Sequence, residues 1–246
     1  VAQTAKRQAA SSQAASQAAS QEDAQEDAQE DAEDGRVGAL WQCGPTLDFT
    51  PVNAYAGALG AAVGAEDAVA LIDGRCTGTL VEAAAGPVLL TAGHCVGLGD
   101  RALLVFNFED APDGDPLIVE GTVLEQSLEP DYALILPDSL PAGALPVLLS
   151  ARATERLAIL QHPRGRPKVV AEGRYVDACD RRVYYADLDT LVGSSGAGVL
   201  NADGHLMAVH TDGDCDETGR GTNSGWSVLS VVEASAYLQD GDVVDR

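Results

Sequence analysis

At 246 residues the chain is long enough for one sizeable core and short for two full domains. Its 15 Lys and Arg stand against 38 Asp and Glu, a formal charge of −23 that repels a phosphate backbone and argues against a nucleic acid partner. No apolar run approaches the ~20 residues that span a bilayer, so no membrane partner is expected.

From Val1 to about Arg36 the sequence is low complexity, first Ser/Gln/Ala and then Gln-Glu-Asp-Ala at a period of four, with no large apolar residue between Ala2 and Gly35. Such a segment cannot offset its ordering entropy and is expected to be a disordered tail or a fraying helix. It holds three cations and eight anions, so −18 of the charge belongs to the remainder. No basic segment followed by an apolar stretch opens the chain, and a signal peptide is therefore expected to be absent or already removed.

The remainder, residues 37–246, reads as a single domain of short apolar runs punctuated by Gly, Pro and Asp. Strands are predicted at 68–72, 79–81, 88–91, 103–108, 117–124 and 132–136. The Pro/Gly-rich stretch Pro137 to Pro146 separates them from a second set at 157–160, 169–176, 183–186, 198–200, 206–210 and 226–229. Asn201-Ala202-Asp203-Gly204 predicts a tight hairpin. Val231, Ala234 and Leu238 recur at helical spacing and predict a short C-terminal helix over about 230–240.

Three strings carry chemistry: Thr91-Ala92-Gly93-His94-Cys95, Asp131-Tyr132-Ala133-Leu134 and Gly193-Ser194-Ser195-Gly196. Serine is a poor nucleophile at neutral pH unless an imidazole takes its proton and a carboxylate fixes the imidazole tautomer. His94, at the end of an apolar run, is the candidate base, Asp131 the orienting acid and Ser195 the nucleophile. Glycines around Ser195 let the backbone turn sharply and aim the Gly193 and Ser195 amides at an oxyanion. No histidine or cysteine spacing implies a metal or cofactor.

In this order of His, Asp and Ser the chain resembles the chymotrypsin-fold serine endopeptidases, over about Ala68 to Leu238. Within them it looks like the bacterial branch that includes glutamyl and lysyl endopeptidases. Gln161-His162-Pro163-Arg164-Gly165-Arg166-Pro167-Lys168 and Asn223-Ser224-Gly225 resemble further strings of that branch, with His162 expected to be structural and His205 exposed. The resemblance implies an all-β fold of two six-stranded antiparallel barrels, the first at about 66–137 and the second at about 150–230. It also implies hydrolysis of protein or peptide substrates through an acyl-enzyme. A disulfide between Cys76 and Cys95 is implied beside His94, and with it an oxidising compartment, secreted or periplasmic. For the other cysteines, Cys43–Cys215, as in the lysyl enzymes, and Cys179–Cys215 both stay open. The chain departs from the digestive enzymes at Ser194, where they carry an acid that pairs with a freshly cut N-terminus, and from its own branch at Ala197-Gly198.

Substrate signals conflict. Thr190 and His210 lie at the offsets from Ser195 of the pair that binds the substrate carboxylate in glutamyl endopeptidases. Asp189 lies where trypsins carry the carboxylate that pairs with Arg or Lys, and Asp212, Asp214 and Asp216 crowd the other wall; the reading leans toward a basic residue before the cut, with an acidic one as alternative. Asp-Thr is also common in this branch whatever the preference, which leaves Asp189 open to a structural role. Gly35-Arg36-Val37-Gly38 resembles a zymogen cleavage string, so release of the tail by an activating protease or by self-cleavage is expected. A competing class is a protease-fold binding or scaffold protein with an occluded cleft.

Overall fold

The computed structural model describes residues 42–84, 86–110 and 115–245; the tail, with Arg36 and Val37, lies outside the described residues. A two-residue strand β1 (Thr50–Pro51) and a one-turn helix α1 (Gly60–Val63) precede the first barrel. That barrel is built from β2 (Val69–Ile72), β3 (Cys76–Ala83), β4 (Gly86–Thr91), β5 (Arg101–Phe106), β6 (Leu117–Leu128) and β7 (Asp131–Pro137). It closes in the order β2-β3-β4-β7-β6-β5, every pairing antiparallel. Period-two burial drives the closure: along β5, Ala102, Leu104 and Phe106 point inward while Arg101 and Leu103 face solvent.

The second barrel comprises β8 (Arg156–Gln161), β9 (Val169–Cys179), β10 (Arg182–Ala186), β11 (Gly198–Asn201), β12 (Leu206–Asp212) and β13 (Asn223–Ser227). It runs β9-β10-β13-β12-β11-β8 and closes through a β8–β9 pairing, with β1 added outside β9. The protein is thus a pair of closed six-stranded antiparallel barrels, the chymotrypsin-like arrangement.

Strand β8 shows how the barrels join. Its residues from Leu157 to Gln161 are all buried, because the two faces serve different cores. Leu157 and Ile159 point into the second barrel, whereas Ala158 and Leu160 join the cluster that contains Leu80, Leu89, Leu104 and Ile135 of the first. Turn chemistry fixes the β11–β12 hairpin: the Asn201 carboxamide oxygen accepts the Asp203 and His205 amides at 3.0 Å each, and Gly204 takes φ +83°.

Strands β3, β6 and β9 run longer than the predicted 79–81, 117–124 and 169–176, β5 lies earlier than 103–108, and the last strand and the C-terminal helix also differ. The run at 226–229 stays a strand only through Ser227, whose hydroxyl caps α2 (Val228–Ala234). That helix starts and stops earlier than its apolar spacing suggested. The Ser235 hydroxyl binds Glu125 at 2.5 Å and accepts the Tyr237 and Leu238 amides at 3.1 Å each, which redirects the chain. Leu238 is buried all the same, through a turn.

A polar cluster locks the barrels together. The Lys168 side chain is 0% exposed; its Nζ meets Glu66 Oε2 at 3.0 Å, the Glu66 carbonyl at 2.6 Å and Glu109 Oε1 at 2.5 Å. Asn53 Nδ2 donates to the other Glu109 oxygen at 2.8 Å. Burial, then the hydrogen bond with Glu109, pushes Glu66 up to about 7. Burial works the same way on Glu109, but its bonds to Glu66, Lys168 and Asn53 outweigh it and hold that carboxyl below the usual range. Removing one member leaves a charge in the interior without its partner. Glu109→Ala is expected to lower the unfolding free energy by about 3 kcal/mol, measured by chemical denaturation.

Candidate active site

The apolar run Leu89-Leu90-Thr91 completes β4, and the chain then turns through Gly93–Cys95. Only glycine fits at 93, since a Cβ there would lie 1.9 Å from the Ser127 carbonyl and 3.0 Å from Asp131 Oδ1. The turn rests directly on the start of β7. There Asp131 Oδ1 accepts the His94 amide at 2.9 Å, and Oδ2 lies 2.6 Å from His94 Nδ1. One carboxylate therefore fixes both the backbone and the ring of the same residue. That hydrogen bond raises the His94 ring above its ordinary value against partial burial, with the Asp131 and Asp212 charges adding to it. The ring is 44% exposed, open to a reactant.

Ser195 comes to the same place by way of β3. The Cys76–Cys95 disulfide ties the first residue of β3 to the neighbour of His94, and the Thr77 amide donates to the Ser195 carbonyl at 2.9 Å. Gly193 takes φ +97° and Gly196 φ +85°. A Cβ at 193 would lie 2.5 Å from the His162 carbonyl, and one at 196 would lie 2.1 Å from Thr91 Oγ1. Ser194 is fully buried and its hydroxyl accepts the Leu191 amide at 3.0 Å, holding the loop by a local cap. Asp131 and His94 thus meet directly, and the Ser195 carbonyl lies 3.9 Å from the sulfur of Cys95, the neighbour of His94.

The residues considered for substrate choice are placed unequally. Asp189 is 3% exposed, and its two oxygens accept the Cys43 and Asp48 amides at 2.6 Å each. Its carboxylate staples the segment before β1 and is not free for a substrate cation, which removes the main support for the basic preference. Asp212 pairs with Arg182 and accepts the Thr211 hydroxyl, while Asp216 caps its own loop through Thr218 and Arg220. Thr190 and His210 are both buried: Asn223 Nδ2 donates to Thr190 Oγ1 at 3.2 Å, and His210 Nδ1 lies 2.5 Å from the Tyr185 hydroxyl. Burial drives His210 down to about 4, so its ring is neutral.

The remaining cysteines settle as Cys43–Cys215, with Cys179 exposed and free. His162 is buried and driven down to about 4 by that burial, in keeping with a structural role. His205 is half-buried and not exposed as expected, because the Asn201 turn folds it back. Among the described residues Cys76, His94 and Cys95 approach within 4.8 Å, but both sulfurs are spent in the disulfide and offer no thiolate to a metal. Thr77, Tyr185 and the Asn223 carboxamide escaped the sequence reading. The only signal was the adjacency of Thr77 to Cys76 and the Asn223-Ser224-Gly225 string.

The His94 ring is expected to titrate above 6.5, and Asp131→Asn to bring it back down by removing the bond and charge that favour the cation. An NMR pH titration of the ring protons in both proteins measures the shift.

By sequence, residues 76–209 match the model of the trypsin-like peptidase domain, a span that contains His94, Asp131 and Ser195. No curated protein matches by sequence. Among solved structures, an inactive form of Rv3671c from M. tuberculosis H37Rv superposes with a TM-score of 0.56 at 17% identity, covering 77% of this chain and 93% of that one. The serine endoprotease from Yersinia pestis gives 0.55 at 17% identity, covering 73% and 65%. The HtrA-type protease AlgW, solved with a tripeptide, gives 0.54 at 17%, covering 70% and 61%. These likenesses carry the fold, and the match over more than half of the sequence carries the family: the chain belongs to the trypsin-like peptidases.

Proposed function

We propose that the protein is a serine endopeptidase in which Ser195 is the nucleophile, His94 the general base and acid, and Asp131 the group that orients His94. The observation that carries the reading is the Asp131 carboxylate bound to both the amide and the ring of His94. With Nδ1–H held by Asp131, Nε2 is the free base. It takes the Ser195 hydroxyl proton as Oγ attacks the scissile carbonyl carbon. The resulting oxyanion is received by the Gly193 and Ser195 amides, the tetrahedral adduct expels the amine with a proton from His94, and water hydrolyses the acyl ester by the same route. Beyond His210, β12 has no partner among the described residues on the side that β11 occupies earlier, an edge suited to a substrate lying as an extended strand.

The preference before the cut is read as acidic. Asp189, Asp212 and Asp216 are already engaged, whereas Thr190 and His210 keep the offsets from Ser195 of a carboxylate-binding pair, with His210 Nδ1 held 2.5 Å from the Tyr185 hydroxyl. The disulfides favour an oxidising compartment, secreted or periplasmic.

Mass-spectrometric mapping of cuts in a diverse peptide mixture tests this. Cuts after Glu that vanish in Ser195→Ala support the reading, and cuts after Arg or Lys refute the acidic preference. No cuts and no labelling by a fluorophosphonate, in the intact chain and in a chain cut after Arg36 alike, refute the enzyme and leave the scaffold alternative. Activation is read as cleavage after Arg36; an Arg36→Ala protein with full activity and an intact tail refutes that.

A further inference from the structure

Every carbonyl of the loop from Leu191 to Ser195 has a donor. Leu191 receives the Ser194 amide at 3.0 Å, Val192 the Arg164 amide at 2.5 Å, Ser194 the Ala197 amide at 3.1 Å and Ser195 the Thr77 amide at 2.9 Å. Gly193 receives the Thr77 hydroxyl at 2.8 Å. The Gly193 and Ser195 amides, by contrast, have no partner among the described residues. A trans peptide is planar, so pinning one carbonyl sends the next N–H the opposite way. The bonds on Val192 and Ser194 therefore aim the two free amides into the cleft.

The Thr77 side chain ties this arrangement together. It is 0% exposed and its Oγ1 does two things at once, accepting the His162 amide at 3.0 Å and donating to the Gly193 carbonyl. His162 leads into the turn that carries Arg164, whose amide holds Val192. One hydroxyl thus joins the serine loop to the turn that sets its orientation, across the barrel boundary. Without it the peptide between Gly193 and Ser194 loses its hold and the turn at His162 loses its tie to the loop, and glycine tolerates either sign of φ, so the torsions about Gly193 that set its own amide are freed.

We propose that Thr77 is a positioning residue for the oxyanion pocket: its hydroxyl, seated between the His162 amide and the Gly193 carbonyl, keeps the loop in the form that presents the Gly193 and Ser195 amides to the developing oxyanion. The inference rests on the endopeptidase reading above.

Thr77→Val keeps the side-chain shape and deletes the hydrogen bonds. Loss of a whole oxyanion donor costs about 100- to 1000-fold, and a loosened one is expected to cost about 10- to 100-fold in kcat with KM changed by less than about twofold. Fluorophosphonate labelling is expected to slow in parallel, since its adduct places an oxygen in the same hole, and Thr77→Ser to recover most of the loss. Thr79→Val is the control: its buried hydroxyl lies on the same strand and accepts the Gly198 amide at 3.2 Å, with no hydrogen bond to a carbonyl of the serine loop. Wild-type kcat in a folded Thr77→Val, an equal loss in Thr79→Val, or a change confined to KM overturns the proposal. Should Thr77→Val not fold, Thr77→Ala is compared with Thr77→Ser, and equal kcat in the two overturns it. A wild-type protein that neither cuts nor labels, with its tail intact or removed after Arg36, sinks the endopeptidase reading itself, and so separates the two failures.

Discussion

An ammonium ion sealed from water has to be surrounded by acceptors, and Lys168 meets that demand by drawing on both barrels. Its carboxylate partners lie just before β2 and just after β5, while the lysine itself leads into β9. Desolvation makes such a cluster a weak source of net stability, but it is intolerant of misplacement, because a shifted partner leaves a bare charge. The same short segment begins at His162, whose amide reaches Thr77, and passes Gly165, where a Cβ would lie 2.2 Å from the Gly74 carbonyl. From Lys168 back to Arg164 the chain has little freedom. The loop that carries Ser195 inherits that rigidity through Val192.

What the sequence revealed follows from the range of the forces involved. Strands such as β5 announce themselves by alternation, and the Asn201–Gly204 hairpin by the local demands of its turn. The end of α2 did not, because Ser235 is diverted by Glu125, a residue 110 positions away. The site shows the same division. His94, Asp131 and Ser195 sit in short strings whose order is informative. Thr77 acts on a carbonyl 116 residues distant, and no local pattern announces such a contact. Asp189 shows it too: its position in the string left a substrate partner and a structural role both open, and the Cys43 and Asp48 amides that each bind one of its oxygens lie more than a hundred residues upstream.

The acidity of the chain bears on substrate encounter and on substrate contact in opposite senses. Several cations are spent in pairs at the surface, among them Arg101 with Glu120 and Asp138, Arg152 with Asp203 and Arg174 with Asp187. Such pairs contribute ~0–1 kcal/mol each and leave the field of the molecule strongly negative. That field slows the approach of an acidic peptide but is screened beyond about 8 Å at physiological salt. On the acidic preference proposed above, a neutral imidazole and a threonine hydroxyl offer dipoles, not charge, at contact range, and rate of association and choice of bond then fall to different parts of the protein.

Closure of both sheets also bears on the company this molecule keeps. A protein that handles extended chains meets backbone groups in search of a partner, and a long open strand would invite them to stack on it. Here each barrel returns on itself, and the strand added outside β9 is only two residues long. On the proposed reading the stretch of β12 past His210 is the part left to engage another chain, and closure of both barrels limits where else a foreign backbone could stack.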